Sequence, residues 1–455
     1  MFPKEGGISL RIILLCGGSG KRLWPLSNEI RSKVFLRLLK SEAGARESMI
    51  ERICRQLDEV GLLQSTCIVT HHSQVEITRN YVGEQIPILT EPYKRGTFAA
   101  IAYAVSFLHE KLQADPNETI CVLPADTYAD TAFFRLLLQF PDVLLHSKAD
   151  LALLGTKPTH PSNQFGYIVP VPPKGNDNFS FIRQFVEKPD EQTACHLIEH
   201  HAMWNCGVFA FPLKFMLTFM KDKGHPTQVE NWMENYEHLA NVSFDREVVE
   251  HTLSAVVMGF DGYWNDLGSW MALSDHFENQ VIGSGRISDE SSNSHLVNEL
   301  PYPIEMIGVS DLIVAASSDG ILIANTEKAN QIKERLEHVP QIPMYEEKRW
   351  GSYRVLNYWK DETGNEVIFK QVKLIHGKYT SYHQHLKRQE SVTIVTGSAE
   401  ILMEGKKYKL QAGDVLQIPA GTKHGIKAVT NLELMEVLLG PDLAKEDVIR
   451  IAMEW

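Results

Sequence analysis

The chain has 455 residues, enough for two or three domains that each bury a core of their own. Its formal net charge of −12 excludes a nucleic-acid scaffold, so any phosphate binding has to come from local cationic sites. Six cysteines without a CxxC pair, no apolar signal core and no run of ~20 apolar residues set the expectation of a cytoplasmic protein with free thiols and no membrane span.

Ile12–Leu15 is an apolar run that reads as a buried first strand. Gly17, Gly18 and Gly20 follow it, with Lys21 and Arg22 directly behind. Glycines let backbone N–H groups come close to an anion, and the two cations add charge-assisted bonds to phosphate. A Walker A loop is excluded, because Leu15 and Arg22 stand where it needs glycine and a hydroxyl residue. A dinucleotide fingerprint fails too, since Leu23 stands where a small residue is required.

From Arg11 to about His276, apolar runs (Ile12–Leu15, Cys67–Thr70, Ile120–Leu123, Leu151–Leu154) alternate with helical stretches near Ser48–Val60, Thr97–Leu112 and Phe133–Phe140. This alternation predicts a Rossmann-like α/β domain with a mixed, mainly parallel sheet, whose ligands sit outside the carboxyl ends of the strands. The polar, turn-rich Ser288–His295 marks a boundary. Beyond it, short strands are predicted at Ile307–Val309, Leu312–Ala315 and Ile321–Ala324, then a helix over Lys328–His338 and a linker at Pro340 and Pro343. From Trp350 to Gly440, strands recur with glycine turns and no helices, which predicts an all-β barrel or jelly roll. The expected divisions are 1–280, a β-rich spacer at 281–345, and 346–455.

The continuation Arg22-Leu-Trp-Pro-Leu-Ser27 resembles the signature of the sugar-1-phosphate nucleotidyltransferases, specifically the mannose-1-phosphate guanylyltransferases. Further matches follow in order. Asp126, closing Leu123-Pro-Ala-Asp126, and Asp266 resemble the aspartates with which that family holds Mg²⁺. Lys33 falls at the lysine of its Pro-Lys-Gln-Phe motif, here Ser-Lys-Val-Phe, and by resemblance binds phosphate. Glu91, Arg95 and Thr97 lie in the segment that contacts base and ribose, where Lys94 and Gly96 depart from the usual Gly-Arg-Asn-Thr. Gly166, Glu187, Lys188 and Asn205 match the sugar-phosphate motifs. The resemblance implies in-line attack of mannose-1-phosphate on the α-phosphorus of GTP. Arg22, Lys33, Asp126 and Asp266 are the expected catalytic set; Gly17, Gly18, Gly20 and Lys21 the expected nucleotide cradle. A manno-heptose 1-phosphate in place of mannose-1-phosphate, or a non-catalytic sugar-nucleotide sensor, are the competing readings.

Gly377-x5-His383-x-His385-x4-Glu390-x6-Gly397 satisfies the first cupin motif, and Gly413-x5-Pro419-x-Gly421-x2-His424 the second as far as its histidine, with Ala428 at the final asparagine position. His383 and His385, two apart on a strand, share a face. With Glu390 and His424 they make a three-histidine, one-carboxylate set suited to Zn²⁺, Fe²⁺ or Mn²⁺. The domain resembles the mannose-6-phosphate isomerase of bifunctional relatives. That pattern usually reads Gln-x-His-His-His-Arg-x-Glu-His-Trp, where this chain has His383-Gln-His385-Leu-Lys-Arg388-Gln-Glu390-Ser-Val. Metal binding is expected, and the departures leave open whether the domain isomerises. Homo-oligomerisation is also left open.

Overall fold

The computed structural model describes residues 10–18, 20–172, 177–336, 343–441, 443, 447–453 and 455. Ser19 of the glycine loop, residues 337–338 of the expected closing helix and Pro340 of the expected linker lie outside them. The chain divides into two compact units: residues up to 19 with 32–278, and residues 20–31 with 279–455.

The first unit is built on one nine-stranded sheet. In chain order its strands are β1 (Leu10–Leu15), β2 (Thr66–His71), β3 (Ile88–Glu91), β4 (Thr119–Pro124), β5 (Leu151–Thr156), β6 (Tyr167–Pro170), β7 (Ser180–Val186), β8 (Met203–Pro212) and β9 (Ala255–Phe260). They lie in the order β3-β2-β1-β4-β8-β5-β9-β7-β6. The pairs β3–β2, β2–β1, β1–β4 and β5–β9 are parallel, and β8 runs antiparallel between β4 and β5, so the sheet is mixed. Of the central strands, β5 is buried from end to end and β4 at every residue but Pro124, as expected where both faces are covered. Helix α1 (Met49–Glu59) starts in a capping box: Ser48 Oγ accepts from the Glu51 amide, and the Glu51 carboxylate accepts from the Ser48 amide. Its Ile50, Ile53 and Leu57 fall on one buried stripe. Helix α2 (Gly96–Glu110) is apolar nearly all round and joins the main core with Phe209, Phe211 and Trp232.

The second unit carries a four-stranded sheet, β10 (Val281–Gly283), β11 (His295–Asn298), β12 (Leu312–Ser317) and β13 (Gly320–Asn325), in that order. Two cupin sheets follow. Their strands are β14 (Tyr345–Lys348), β15 (Gly351–Lys360), β16 (Glu366–Leu374), β17 (Tyr382–His385), β18 (Gln389–Thr396), β19 (Ser398–Met403), β20 (Lys406–Gln411), β21 (Val415–Ile418), β22 (His424–Ala428), β23 (Leu432–Gly440) and β24 (Val448–Ala452). One sheet runs β14-β15-β16-β23-β18-β21, the other β20-β19-β22-β17-β24. Val372, Val392, Ile394, Ile401, Ile426 and Leu434 from both sheets form a shared apolar core.

Three expected elements are corrected. The helix over Phe133–Phe140 is two, Thr131–Leu137 and Phe140–Ser147. Pro141 has no N–H for the Leu137 carbonyl, so one helix ends and the next begins there. The strand expected at Ile307–Val309 lies at Ile304–Met306, because Gly308 takes a left-handed φ of 62° and turns the chain. The described part of the expected closing helix is a 3₁₀ stretch, Thr326–Gln331, then one α-turn, Ile332–Arg335.

Candidate functional site

In the first unit β1 and β4 are parallel and in register to their ends, Leu15 opposite Pro124. The glycine loop leaves one strand end and Asp126 follows the other, so topology puts the loop and a carboxylate at the same edge. A Cβ built on Gly17 or Gly18 meets nothing within 4 Å, so the loop backbone is open. Gly18 O accepts from Gln74 Nε2 at 3.4 Å and from Lys94 Nζ at 3.3 Å. Lys94, a departure in the sequence pattern, therefore brings a cation to the loop. Gly20, Lys21 and Arg22 belong to the segment that folds with the second unit.

Asp266 ends a short strand, Trp264–Asp266, paired antiparallel with Thr127–Ala129, so it stands opposite Thr127 and close to Asp126. Lys33 Nζ lies 2.7 Å from Asp126 Oδ2 and 3.2 Å from Asp266 Oδ1. Burial works against the Lys33 charge, but the two carboxylates outweigh it and its pKa is raised. Two carboxylates converging on one cation are hard oxygen donors, the chemistry that suits a small divalent metal.

Gly166, Glu187, Lys188 and Asn205 also come together. A Cβ on Gly166 would lie 2.7 Å from Glu187 Oε2 and 3.5 Å from Asn205 Cβ, so a side chain here would push the Glu187 carboxylate aside. Asn205 N donates to Gly166 O at 2.8 Å, and Lys188 Nζ pairs with Glu187 at 2.6 Å. Asn205 Nδ2 in turn donates to Asp245 Oδ1 at 2.8 Å. Burial, reinforced by the Glu187 charge, pushes the Asp245 carboxyl up to about 6. The sequence reading missed Asp245, which no motif flags.

Glu91, Arg95 and Thr97 all meet residues 236–244. Tyr236 donates to the buried Glu91 at 2.5 Å, Arg95 donates to the Glu237 carbonyl, and Thr97 Oγ1 accepts from the Phe244 amide at 2.8 Å. Gly96 has φ 80°, and a Cβ there would lie 2.3 Å from the Val242 carbonyl oxygen.

In the cupin, the ligand atoms of His383, His385 and His424 lie within 4.8 Å of one another. Each Nδ1 faces a backbone carbonyl: Ser381 at 2.7 Å, Asp447 at 3.1 Å and Thr422 at 3.0 Å. That contact places a proton on Nδ1 and turns Nε2 toward the shared centre, the arrangement found behind metal-binding histidines. Arg388 Nη2 sits 2.8 Å from His385 Nε2, and since arginine only donates, that nitrogen is an acceptor. Burial pushes His383 and His385 down to about 4, so both rings are neutral at pH 7. Glu390 completes the set, 3.1 Å from His385 and 3.2 Å from His424. The donor set fits a divalent metal. A cavity of about 270 Å³ opens on it, lined also by Tyr353, Lys370, Arg388 and Glu436.

Residues 11–281 match the nucleotidyl transferase family. The chain belongs to that family. Residues 337–453 match the C-terminal domain of mannose-6-phosphate isomerase. A mannose-1-phosphate guanylyltransferase of Salmonella muenchen is 28% identical, over 96% of this chain and 97% of that protein. The xanthan biosynthesis protein XanB of Xanthomonas campestris pv. campestris is 27% identical, over 96% and 97%. The crystal structure of a mannose-1-phosphate geranyltransferase from Thermus thermophilus superposes with a TM-score of 0.61 at 27% identity, covering 73% of this chain and 99% of that one. A nucleotidyl transferase followed by an isomerase-type cupin, matched end to end, is the bifunctional guanylyltransferase/isomerase architecture.

Proposed function

We propose that the first unit forms GDP-mannose and pyrophosphate from GTP and mannose-1-phosphate. The observation that carries this reading is the convergence of Asp126, Asp266 and Lys33 beside the glycine loop. Asp126 and Asp266 would hold Mg²⁺, which when bound neutralises the triphosphate and polarises its α-phosphorus. Glu187 and Asn205 bind sugar hydroxyls, and Lys188 holds the sugar phosphate. An oxygen of that phosphate attacks the α-phosphorus; the bond to the β-phosphoryl oxygen breaks, and pyrophosphate leaves with its electron pair. Lys21, Arg22 and Lys33 balance the charge that grows on the leaving group. Glu91, Arg95 and Thr97 lie along the nucleotide. No covalent intermediate is needed, because positioning and charge neutralisation carry phosphoryl chemistry.

Pyrophosphate release with Mg²⁺, measured across GTP, ATP, UTP, CTP and dTTP with several sugar 1-phosphates, tests the substrates. Release confined to GTP with mannose-1-phosphate is expected; turnover with another pair replaces the substrate, and silence with every pair overturns the enzyme. Asp126→Ala should abolish release while the unfolding temperature stays within a few degrees. Near-normal release from that variant sinks the assignment of the site.

For the cupin we infer a metal-dependent mannose-6-phosphate isomerase, supported by the cavity that gathers Lys370 and Glu436 beside the histidines. Lys370 Nζ and Glu436 Oε2 lie 3.9 Å apart, and these buried groups can take and return a proton. A bound metal would polarise the sugar carbonyl. Protein with stoichiometric metal that fails to interconvert mannose-6-phosphate and fructose-6-phosphate removes this activity and leaves a metal-binding domain.

A further inference from the structure

Lys21 and Arg22 sit in a single 3₁₀ turn, Lys21–Leu23, that follows three glycines. Such a loop has little stiffness of its own, because glycine leaves the backbone free. Within the second unit, however, residues 20–31 are tied down at several points. Asn28 is buried, and its Nδ2 donates to Asp319 Oδ2 at 2.8 Å and to the Tyr345 carbonyl at 3.3 Å. The Oδ1 of the same side chain accepts from the amides of Ile30 and Arg31, at 3.0 and 2.8 Å, which fixes the turn itself. Arg31 makes a two-pronged pair with Glu299, at 2.9 and 3.0 Å, and lies 5.0 Å over the Tyr345 ring. Ser317 Oγ donates to the Pro25 carbonyl at 2.6 Å. The Trp24 ring covers Gly320 so closely that a Cβ there would lie 2.4 Å from it.

The partners come from two places. Glu299, Ser317, Asp319 and Gly320 belong to the four-stranded sheet and its turns, whereas Tyr345 starts the cupin strand β14. Asp319 joins the two, since its Oδ1 also accepts from the Met344 amide at 2.5 Å. We propose that Asn28 and Arg31 are positioning residues for nucleotidyl transfer: through Asp319 and Glu299 they hold the phosphate loop so that Lys21 and Arg22 are presented in one fixed arrangement. The inference rests on the guanylyltransferase reading. A displacement of about 1 Å in groups that orient a reaction costs up to ~10²-fold in rate, so loosening these contacts should show in kcat.

An exchange of donor and acceptor tests this in the full-length protein. Asn28→Asp alone sets two carboxylates against each other across the Asp319 contact; combined with Asp319→Asn it restores one donor and one acceptor. At pH 8, with GTP, mannose-1-phosphate and Mg²⁺, Asn28→Asp should lose at least tenfold in kcat, with KM for mannose-1-phosphate within twofold and unchanged cupin metal content. The double variant should return to within threefold of the unmutated kcat. A purely structural role predicts fewer active molecules and a lower unfolding temperature in proportion, with no recovery specific to the exchange. Full kcat in Asn28→Asp, or a loss that the exchange does not restore, overturns the inference while leaving the guanylyltransferase reading in place. Absence of turnover in the unmutated chain overturns that reading first, and the inference with it. Should Asn28→Asp not fold, Glu299→Gln loosens Arg31 instead; at least a fivefold loss of kcat supports the proposal and full kcat overturns it.

Discussion

Glu91 is a carboxyl whose titration follows from burial. Loss of water pushes it up to about 7 from an ordinary 4.5, against the opposing Tyr236 hydrogen bond and the Lys94 charge. The folded chain therefore holds this proton more tightly than the unfolded chain. The stabilisation is fully present below the unfolded value and is lost as pH rises through the folded one. A shift of this size is worth on the order of 3 kcal/mol between those limits. Glu91→Gln keeps an acceptor for Tyr236 and removes the titration. Denaturant unfolding of the ligand-free protein at pH 5 and pH 8 should show the unmutated chain losing roughly 2–3 kcal/mol relative to the variant. Parallel pH dependences would contradict the burial argument.

Gly96 works through backbone geometry instead. Its φ of 80° and the Val242 carbonyl 2.3 Å from a built Cβ leave no room for a side chain without movement. The resembled pattern has asparagine here, the other residue that tolerates left-handed backbone. Glycine keeps the conformation and gives up the amide. Gly96→Ala should cost about 1–3 kcal/mol of stability by thermal or denaturant unfolding. An unchanged unfolding midpoint would show that the Asn241–Val242 segment yields freely.

At the scale of elements, the cupin shows what a sequence reveals and what it hides. His383 and His385 are legible because a strand repeats every two residues, and His424 because glycine and proline turns fix the spacing of the second motif. The Asp447 carbonyl behind the His385 ring is illegible, since nothing local links residues 62 positions apart. The same limit hid Asp245 behind Asn205. The split helix after Leu137 was readable from Pro141; the strand at Ile304–Met306 was not, because its pairing with Gly285–Ile287 decides it. With Nδ1 tied and Nε2 inward, the three histidines should bind about one divalent ion per chain. Metal saturation should raise the unfolding temperature, by RT ln(1 + [L]/Kd) in free energy, or ~2.7 kcal/mol at a hundredfold excess over Kd. Elemental analysis of His383→Ala/His424→Ala should find the metal gone; stoichiometric metal in that variant would place the site elsewhere.

Across the whole molecule, chain order and folding unit do not coincide. Residues 20–31 sit early in the sequence yet fold with 279–455. A chain ending at residue 278 would keep the nine-stranded sheet, Lys33, Asp126, Asp266, Gly166, Glu187, Lys188 and Asn205. It would lose Glu299, Ser317, Asp319 and Tyr345, the partners of Arg31, Pro25 and Asn28. The Arg31 side chain, only 12% exposed in the full chain, would have no carboxylate from Glu299 or Glu347. Leaving such a charge without its partner costs about 3–5 kcal/mol if it stays buried, so the segment should detach instead. The truncated chain should therefore keep helical and sheet signals in circular dichroism, expose residues 20–31 to protease, and release pyrophosphate at under a tenth of the full-length rate. A chain ending at residue 360 retains all four partners and should recover part of that loss if its sheet holds. Equal protease resistance and equal turnover in the 278-residue chain would mean that the loop is ordered by the first unit alone.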